Sequence, residues 1–316
     1  MESRKTGPGR LRRLVGRLRV EEAIALAFLA PTAYLTLYAH RYAQTHGLLG
    51  ARFPGGVLRF GLAVLLLGAL WGAKRLWPQS SLIDRLRDVL PFVTCILIYT
   101  NLHDTIGFVN SHDVHQVLVH LDKWLFGVEP CVWAERFITP ARTEVMVFFY
   151  GNFAWLAPCV PLILLFQRRW QDFRSAVLGI VVCFYLGYGL YLVFPAAPPR
   201  LYLAQEFHVN LKGYPNMLFA LEQRTLSLLP ADSRAAFPSL HAAVTLLVLF
   251  YAWRYTRRWL ILLVPLVLGL WVSTIYLRHH YFVDLLAGWA LAPLAVWLAP
   301  RLDRWWNEGV RRRAPS

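Results

Sequence analysis

Long apolar segments recur along the whole chain, and they constrain its fold more than any other feature. Hydrophobic residues make up 57% of the 316 residues, and the mean hydropathy is +0.42. A helix needs about 20 mostly apolar residues to cross a bilayer. Eight segments approach that length, at 23–40, 58–73, 89–108, 144–166, 175–194, 239–253, 259–277 and 282–299. The sequence therefore predicts an all-α, polytopic membrane helical bundle with about eight transmembrane helices.

The positive charges of the chain indicate its orientation in the membrane. The net charge is +15, and most of the 33 lysine and arginine residues fall in the two tails and in alternate connections between apolar segments. Cytoplasmic loops are enriched in this way, so we expect both termini in the cytoplasm. This distribution argues against a nucleic-acid partner. The connections 109–143, 195–238 and 278–281 are then predicted on the outer, periplasmic or extracellular, face.

His280 and Asp284 lie at the start of the last apolar segment, on this predicted outer face. They are four residues apart, a spacing that places them on one face of a helix. The carboxylate can accept a hydrogen bond from one ring nitrogen and leave the other nitrogen free as a nucleophile. A structural His–Asp pair at a helix start would have the same spacing, so this pair alone leaves both interpretations open.

A second histidine makes the catalytic interpretation more specific. His241 follows Pro238 and Ser239 at the start of another apolar segment. Proline suits the first turn of a helix, and the free N–H groups there form an anion site to which Ser239 can add its hydroxyl. His241 could protonate a leaving oxygen from this position. Together these residues predict phosphoryl transfer through a histidine nucleophile at a membrane surface.

The two motifs resemble the second and third signatures of the type-2 phosphatidic acid phosphatase superfamily. The stretch 273–284, which reads STIYLRHHYFVD, is closer to the inositol phosphorylceramide synthase branch, the inositolphosphotransferases. The same is true of the stretch 194–200, FPAAPPR, and of residues 125–127, LFG, with Pro130. The resemblance covers roughly residues 90–300.

The resemblance also implies a division of the chain. A six-helix catalytic core of the phosphatidic acid phosphatase type is expected at 89–300, preceded by two extra transmembrane helices at 23–88. Basic cytoplasmic tails are expected at 1–22 and 301–316. The excess of arginine over lysine and the short tails favour a bacterial plasma membrane.

The resemblance implies a role for each matched residue. His280 would attack the phosphorus and form a phosphohistidine, and Asp284 would orient its ring. His241 would be the general acid for the departing group and then the base for the acceptor. Ser239 would bind phosphate oxygens. The superfamily is metal-independent, so neither a metal site nor another cofactor is expected.

The chain departs from the superfamily pattern at two positions. The first signature has a lysine seven residues before its arginine, but Val193 stands there ahead of Arg200; the third has an arginine after its serine, where this chain has Thr274. Other cations must therefore meet the charge of the phosphate. Arg200, Arg278 and Arg234 are the candidates on the outer face, because a guanidinium matches the geometry of phosphate oxygens.

A stretch rich in histidine and aspartate lies at 103–122. His103 and Asp104 fall near the outer end of a predicted span and could line a substrate cavity. His112 and His115 could share a helix face and bind a metal, but a polar helix flank at the membrane interface is the simpler interpretation.

Three functions fit these residues. The leading prediction is an integral-membrane lipid phosphotransferase that moves a head-group phosphate from a phospholipid to a lipid or polyol alcohol. The same residues with water as acceptor would give a lipid or polyprenyl phosphate phosphatase, and this choice depends on how well the site excludes water. A transporter or lipid-binding scaffold would not need His280. The predicted partners are a lipid phosphate, an acceptor alcohol and membrane lipids, and the oligomeric state is not specified by the sequence.

Overall fold

The chain folds into a bundle of helices. The computed structural model describes residues 18–45, 53–227 and 233–311. The longer helices are α1 (Val20–Thr45), α2 (Phe53–Leu76), α3 (Ser81–Val109), α4 (His115–Phe126), α5 (Pro140–Gly151), α6 (Phe153–Phe166), α7 (Trp170–Val193), α8 (Leu218–Ser227), α9 (Leu240–Tyr255), α10 (Leu260–Tyr276) and α11 (Phe282–Trp305). Short helical turns lie at Pro130–Trp133, Ala134–Phe137, Pro199–Tyr202, Arg257–Trp259 and Trp306–Arg311. In the described ranges, the only β pairing is an isolated parallel bridge between Ala196 and Ala235.

Every predicted apolar segment corresponds to a helix, but the count of eight spans is not confirmed. Four helical stretches in the described ranges are long and apolar enough to cross a membrane, and α9 is apolar but shorter. These stretches are Pro140–Phe166, Trp170–Val193, Arg257–Tyr276 and Phe282–Gly309. Large side chains such as Ile261 and Phe166 point outward, with 87% and 83% of their surface exposed. An apolar exterior of this kind suits lipid, and the prediction of an all-α polytopic membrane protein is confirmed.

The helix α7 forms the centre of the bundle. It is apolar on most of its circumference and packs against α3, α6, α9 and α11. Two glycines permit the close approach of neighbouring helices. A Cβ atom on Gly187 of α7 would overlap with Leu240, and one on Gly288 of α11 would overlap with the backbone oxygen of Ser239. These contacts bring the first turns of α9 and α11 together beside the end of α7.

One end of the bundle, here the ion-pair end, comprises the starts of α1, α3 and α7 and the end of α11. Arg87 of α3 donates two hydrogen bonds to the carboxylate of Glu22 in α1, at 2.6 and 2.5 Å. Arg174 of α7 lies 3.0 Å from Asp303 of α11 and 3.4 Å from Glu21 of α1. Ion pairs therefore tie α1 and α3 to one another and α7 to both α1 and α11.

The opposite end, here the histidine end, gathers the three connections that were predicted on one face of the membrane. The N–H of Val114 donates to the carbonyl of Pro195 at 2.9 Å, and the N–H of Arg200 donates to the carbonyl of Arg278 at 2.9 Å. Each of these bonds joins two different connections. The histidine end is therefore built from segments that are distant in the sequence.

Buried carboxylates hold the backbone of these connections. Asp122 of α4 accepts hydrogen bonds from the N–H groups of Phe282 and Val283, at 2.7 and 2.9 Å, and so fixes the first turn of α11. Two further carboxylates act in the same way: Glu135 accepts from His208 and Val209, and Glu144 accepts from Tyr214 and Phe219. We call Asp122, Glu135 and Glu144 the carboxylate clamps.

The predicted boundaries need one adjustment. The last span was expected to end at 299, but α11 continues to Trp305. Arg301 in this extension stacks on Trp297, with its guanidinium carbon 4.2 Å from the ring centroid. A long arginine side chain can lie along an apolar helix in this way and keep its charge at the interface. Residues 1–17 and 312–316 of the predicted tails lie outside the described residues, and the division of the chain near residue 89 remains a prediction.

Candidate active site

The turn between α10 and α11 carries His280. Arg278 in this turn has a φ of 63°, in the left-handed region. The N–H groups of His279 and His280 both donate to the carbonyl of Thr274, at 2.8 and 3.2 Å. These bonds terminate α10. They also hold the backbone of both histidines independently of their side-chain contacts.

Two acceptors fix the proton of the His280 ring on Nδ1. This atom lies 3.0 Å from the carbonyl oxygen of Ala236 and 3.2 Å from Oδ2 of Asp284. A carbonyl oxygen can only accept, so Nδ1 must donate and Nε2 keeps its lone pair. Burial lowers the pKa of His280 to about 3. The ring is therefore neutral at neutral pH and presents a free nitrogen that can act as a nucleophile.

Asp284 is held at the junction of two helices. It is fully buried, and its Oδ2 also accepts a hydrogen bond from the N–H of Tyr281 at 2.9 Å. A carboxylate at the third position of a helix commonly caps the helix start in this way. Its backbone oxygen accepts from the N–H of Ser239 at 2.9 Å. The carboxylate that contacts His280 is thus positioned by α11 and linked to α9.

His241 lies in the first turn of α9. Ser239 caps this helix, because its hydroxyl accepts from the N–H of Ala242 at 3.3 Å. Nδ1 of His241 lies 3.1 Å from Nε2 of His280. Since Nε2 of His280 has the lone pair, His241 donates this hydrogen bond. The ring of Tyr150 packs against His241, with centroids 4.9 Å apart. His241 therefore holds a proton directly in front of the nucleophilic nitrogen.

Arg200 supplies a positive charge beside the two histidines. Its guanidinium NH1 lies 3.1 Å from Nδ1 of His279. No ion pair with a carboxylate engages this guanidinium in the described part of the chain. Burial lowers the pKa of Arg200, but an arginine remains protonated at neutral pH. The charge of Arg200 is therefore available to an anionic ligand.

A cavity of about 280 Å³ brings these groups together. Its polar lining includes Arg200, His241, His279 and His280. Most of the remaining wall is aromatic or aliphatic and includes Tyr99, Phe153, Phe184, Tyr188 and Leu240. A wall of this composition accommodates an apolar ligand and limits the access of water to the polar groups.

Arg278, although predicted to bind phosphate, is engaged elsewhere. Its guanidinium pairs with Glu135 at 2.9 Å and donates to the carbonyl of Val209. It also lies over the ring of Phe207, 3.7 Å from the centroid. The side chain is 8% exposed and does not line the cavity. Its charge is already matched by a carboxylate, so its contacts favour a structural role.

The other predicted phosphate-binding residues, Arg234 and Ser239, are not among the residues that line the cavity. Arg234 lies 3.5 Å from Asp113, and Ser239 is fully buried with its hydroxyl at the start of α9. The roles predicted for these two residues remain predictions. His103 and Asp104 belong to α3, but their side chains lie outside the described residues.

Two polar residues of the site were not predicted from the sequence: His279, which lines the cavity, and Glu222, which contacts His279. Nε2 of His279 lies 2.7 Å from Oε1 of Glu222, a residue of α8. The ring of His279 stacks on Tyr150, with centroids 4.2 Å apart. The histidine doublet was a visible signal for His279. Glu222 had no such signal, because nothing near it indicates that this polar helix packs against the cavity.

The arrangement combines a nucleophilic imidazole, a proton donor and an uncommitted cation, which are the groups that phosphoryl transfer to a histidine requires. Among the residues that the structure describes, no cluster of three or more His, Cys, Asp or Glu side chains could hold a metal ion.

The family model of the PAP2 superfamily matches residues 116–298. The matched region runs from α4 to α11 and contains Arg200, His241, His280 and Asp284. Part of the cavity wall, from α3, lies outside it.

Three curated relatives are similar to the chain. The phosphoinositol dihydroceramide synthase of Bacteroides thetaiotaomicron is 27% identical over 236 residues, which cover 66% of this chain and 74% of that protein. The inositol phosphorylceramide synthase catalytic subunit of Saccharomyces cerevisiae is 37% identical over 111 residues, 32% of this chain and 27% of that protein. The inositol phosphorylceramide synthase of Candida albicans is 35% identical over 118 residues, 33% of this chain and 24% of that protein. The match thus spans about a quarter of each fungal relative. No solved structure matches the chain.

Proposed function

This chain belongs to the PAP2 superfamily and is an enzyme of its phosphotransferase and phosphatase class, and from that premise we propose that it transfers a phosphorylated head group from a phospholipid to a lipid alcohol. Similarity to inositol phosphorylceramide and phosphoinositol dihydroceramide synthases supports an inositol phospholipid as the donor and a ceramide-like alcohol as the acceptor. The observation that carries the proposal is the hydrogen-bonded pair His241–His280 in an apolar cavity beside Arg200.

In the first step, Nε2 of His280 attacks the phosphorus of the donor. The hydrogen bond from His241 to this nitrogen must open first, because the phosphorus takes the place of the His241 proton. The bond between phosphorus and the diacylglycerol oxygen breaks, and His241, acting as an imidazolium, gives one of its two ring protons to that oxygen and is left as a neutral ring. The head group is then held on His280 as a phosphohistidine. Asp284 stabilises the positive charge on the ring, and Arg200 stabilises the charge on the phosphate oxygens.

In the second step, the acceptor restores the enzyme. His241, now a neutral imidazole, removes the proton of the acceptor hydroxyl and becomes an imidazolium again. The acceptor oxygen attacks the phosphorus, and the bond between phosphorus and Nε2 of His280 breaks. Both imidazoles return to their starting protonation, and the head group has moved from one lipid to another.

The lining of the cavity supports an alcohol rather than water as the acceptor. Aromatic and aliphatic side chains form most of its wall, and such a wall excludes bulk water while it binds the chains of a lipid. Hydrolysis, with water in place of the alcohol and release of the phosphorylated head group in water-soluble form, is the competing outcome of the same chemistry.

We also propose that the site faces the outer side of a bacterial plasma membrane, with both termini in the cytoplasm. The charge pattern of the sequence supports this orientation. The meeting of connections 109–143, 195–238 and 278–281 at the histidine end agrees with their predicted location on one face.

The proposal is tested by following phosphatidylinositol, labelled in its head group, in nanodiscs that contain ceramide. The wild type is compared with His280→Ala and with His120→Ala, which makes the same change at an exposed histidine of α4. We expect label on a second lipid with the wild type and the control, and none with His280→Ala. Release of label in a water-soluble form alone would show that water is the acceptor and would replace the transferase with a hydrolase that uses the same residues. Full activity of His280→Ala would overturn the mechanism.

A further inference from the structure

We propose that Glu222 and His279 form a positioning chain that holds the guanidinium of Arg200 in front of the catalytic histidines. The inference rests on the proposed function, because Arg200 is the cation that meets the transferred phosphate. The chain consists of two hydrogen bonds. Oε1 of Glu222 lies 2.7 Å from Nε2 of His279, and Nδ1 of His279 lies 3.1 Å from NH1 of Arg200.

The chemistry of the three groups fixes the direction of both hydrogen bonds. A guanidinium can only donate, so Nδ1 of His279 must accept and carries no proton. The proton of the neutral ring is then on Nε2, where it faces the carboxylate of Glu222. Without an acceptor at that position, the ring could carry its proton on Nδ1 and would face Arg200 with a donor. Glu222 therefore selects the tautomer that can bind Arg200.

His279 and Glu222 are both held in place by further contacts. The backbone N–H of His279 donates to Thr274 at 2.8 Å, and the ring of His279 is stacked on Tyr150. The side chains of His279 and Glu222 are 3% and 8% exposed. Glu222 is presented by α8, and the carboxylate clamp Glu144 accepts a hydrogen bond from the N–H of Phe219 in the first turn of this helix, at 3.1 Å.

The imidazole of His279 lies between Glu222 and Arg200, so these two side chains do not pair directly. Where Arg278 meets Glu135 directly, at 2.9 Å, the carboxylate neutralises the guanidinium. Burial and the charge of Arg200 hold the pKa of His279 well below its usual range, so this ring stays neutral. Arg200 is consequently oriented by a neutral partner and keeps its positive charge for the phosphate. Orientation of a cation before the substrate arrives lowers the cost of stabilising the transition state.

Two substitutions of His279 test its two ring nitrogens one at a time, because each keeps only one of the two hydrogen bonds. In His279→Asn, the amide oxygen takes the place of Nδ1 and can accept from Arg200. In His279→Gln, the amide nitrogen takes the place of Nε2 and can donate to Glu222, but the acceptor for Arg200 is lost. We expect His279→Gln to lower kcat/KM about 100-fold, as misplacement of a binding group by about 1 Å can do. We expect His279→Asn to retain most of the activity.

A double-mutant cycle shows whether His279 acts through Arg200. In an Arg200→Lys background, His279→Gln should cause almost no further loss, because the guanidinium that it positions is absent. A purely structural role for His279 predicts equal losses in both backgrounds and a lower melting temperature for Asn and Gln alike. Equal losses for His279→Asn and His279→Gln, or additive losses in the cycle, would overturn the positioning chain.

The same assay separates failure of this inference from failure of the proposed function. All variants are measured with labelled phosphatidylinositol in nanodiscs, with ceramide as acceptor. A wild type that neither transfers nor releases label refutes the proposed function. A wild type that turns over, with variants that show additive losses, refutes only the positioning chain.

Discussion

Arg87 and Arg174 at one end of the bundle have a different kind of partner from Arg200 at the other end. At the ion-pair end, Arg87 contacts the carboxylate of Glu22 directly, and Arg174 lies between two acidic side chains. At the histidine end, the partner of Arg200 is the neutral ring of His279. Burial does not distinguish these arginines, since all three are wholly or partly buried. The chemical nature of the partner distinguishes them. A carboxylate neutralises the guanidinium and stabilises the fold, whereas a neutral imidazole leaves the positive charge available to a ligand.

The largest difference between the ends is expected from two aspartates of the same helix, α11. Asp284→Asn removes the charge that stabilises the His280 ring, and it should lower kcat by about 10⁴-fold, as loss of the orienting carboxylate does in a Ser-His-Asp triad. Asp303→Asn, at the ion-pair end, should leave turnover unchanged and cost less than about 1 kcal/mol of stability. Initial rates of lipid transfer and thermal unfolding in detergent measure both effects. Similar rates for the two variants would remove the distinction.

A second comparison sets a loss of activity at Arg200 against a loss of stability at Arg87. Arg200→Ala should lower kcat/KM by about 100-fold or more, because a cation aimed at the transferring phosphate is lost, and it should leave the melting temperature unchanged. Arg87→Ala leaves the carboxylate of Glu22 buried without its partner and should cost about 3–5 kcal/mol of stability. The folded fraction of Arg87→Ala should keep its turnover rate. A lower melting temperature for Arg200→Ala than for Arg87→Ala would contradict this assignment.

The pH dependence of turnover tests the neutral state of His280. Burial lowers the pKa of His280 to about 3. The nucleophile is the unprotonated ring, which predominates above this pKa, so kcat/KM should not decline through protonation of His280 between pH 7 and 5. An imidazole with an ordinary pKa near 6.5 would instead give a fall approaching tenfold per pH unit below that value. The profile is measured with the wild type over pH 4–8.

The smallest effect is expected from a buried carboxylate at the histidine end. Glu129 is 3% exposed, and burial raises its pKa from 4.5 to about 8. A carboxyl whose pKa is raised by folding contributes stability below its unfolded pKa and loses it as the pH rises toward the folded value. Glu129→Gln should therefore raise the melting temperature at pH 8 by about 2–4 °C for each kcal/mol regained, and change it little at pH 4. Equal shifts at both pH values would show that ionisation is not the cause.

The sequence predicted the features that depend on local patterns. Apolar segments located the helices, because hydropathy is a property of neighbouring residues. His280 and Asp284 contact one another because their spacing is set by one helix start. The contacts of Arg278 could not be predicted, since Glu135 lies 143 positions away in the chain. Likewise, Glu222 lies 57 positions from His279. The three candidate arginines looked equivalent in the sequence, and tertiary contacts alone distinguish them.

The junction of α9 and α11 has a consequence for the range of membranes in which the enzyme can work. It is made by the hydrogen bond from Ser239 to the backbone of Asp284 and by the close fit of Gly288 against Ser239. Helices tilt when the thickness of the bilayer changes. Because the junction joins backbone to backbone, we expect the first turns of these two helices to tilt together and the distance between the imidazoles to change little. The geometry of the site should then depend little on the acyl-chain length of the surrounding lipid.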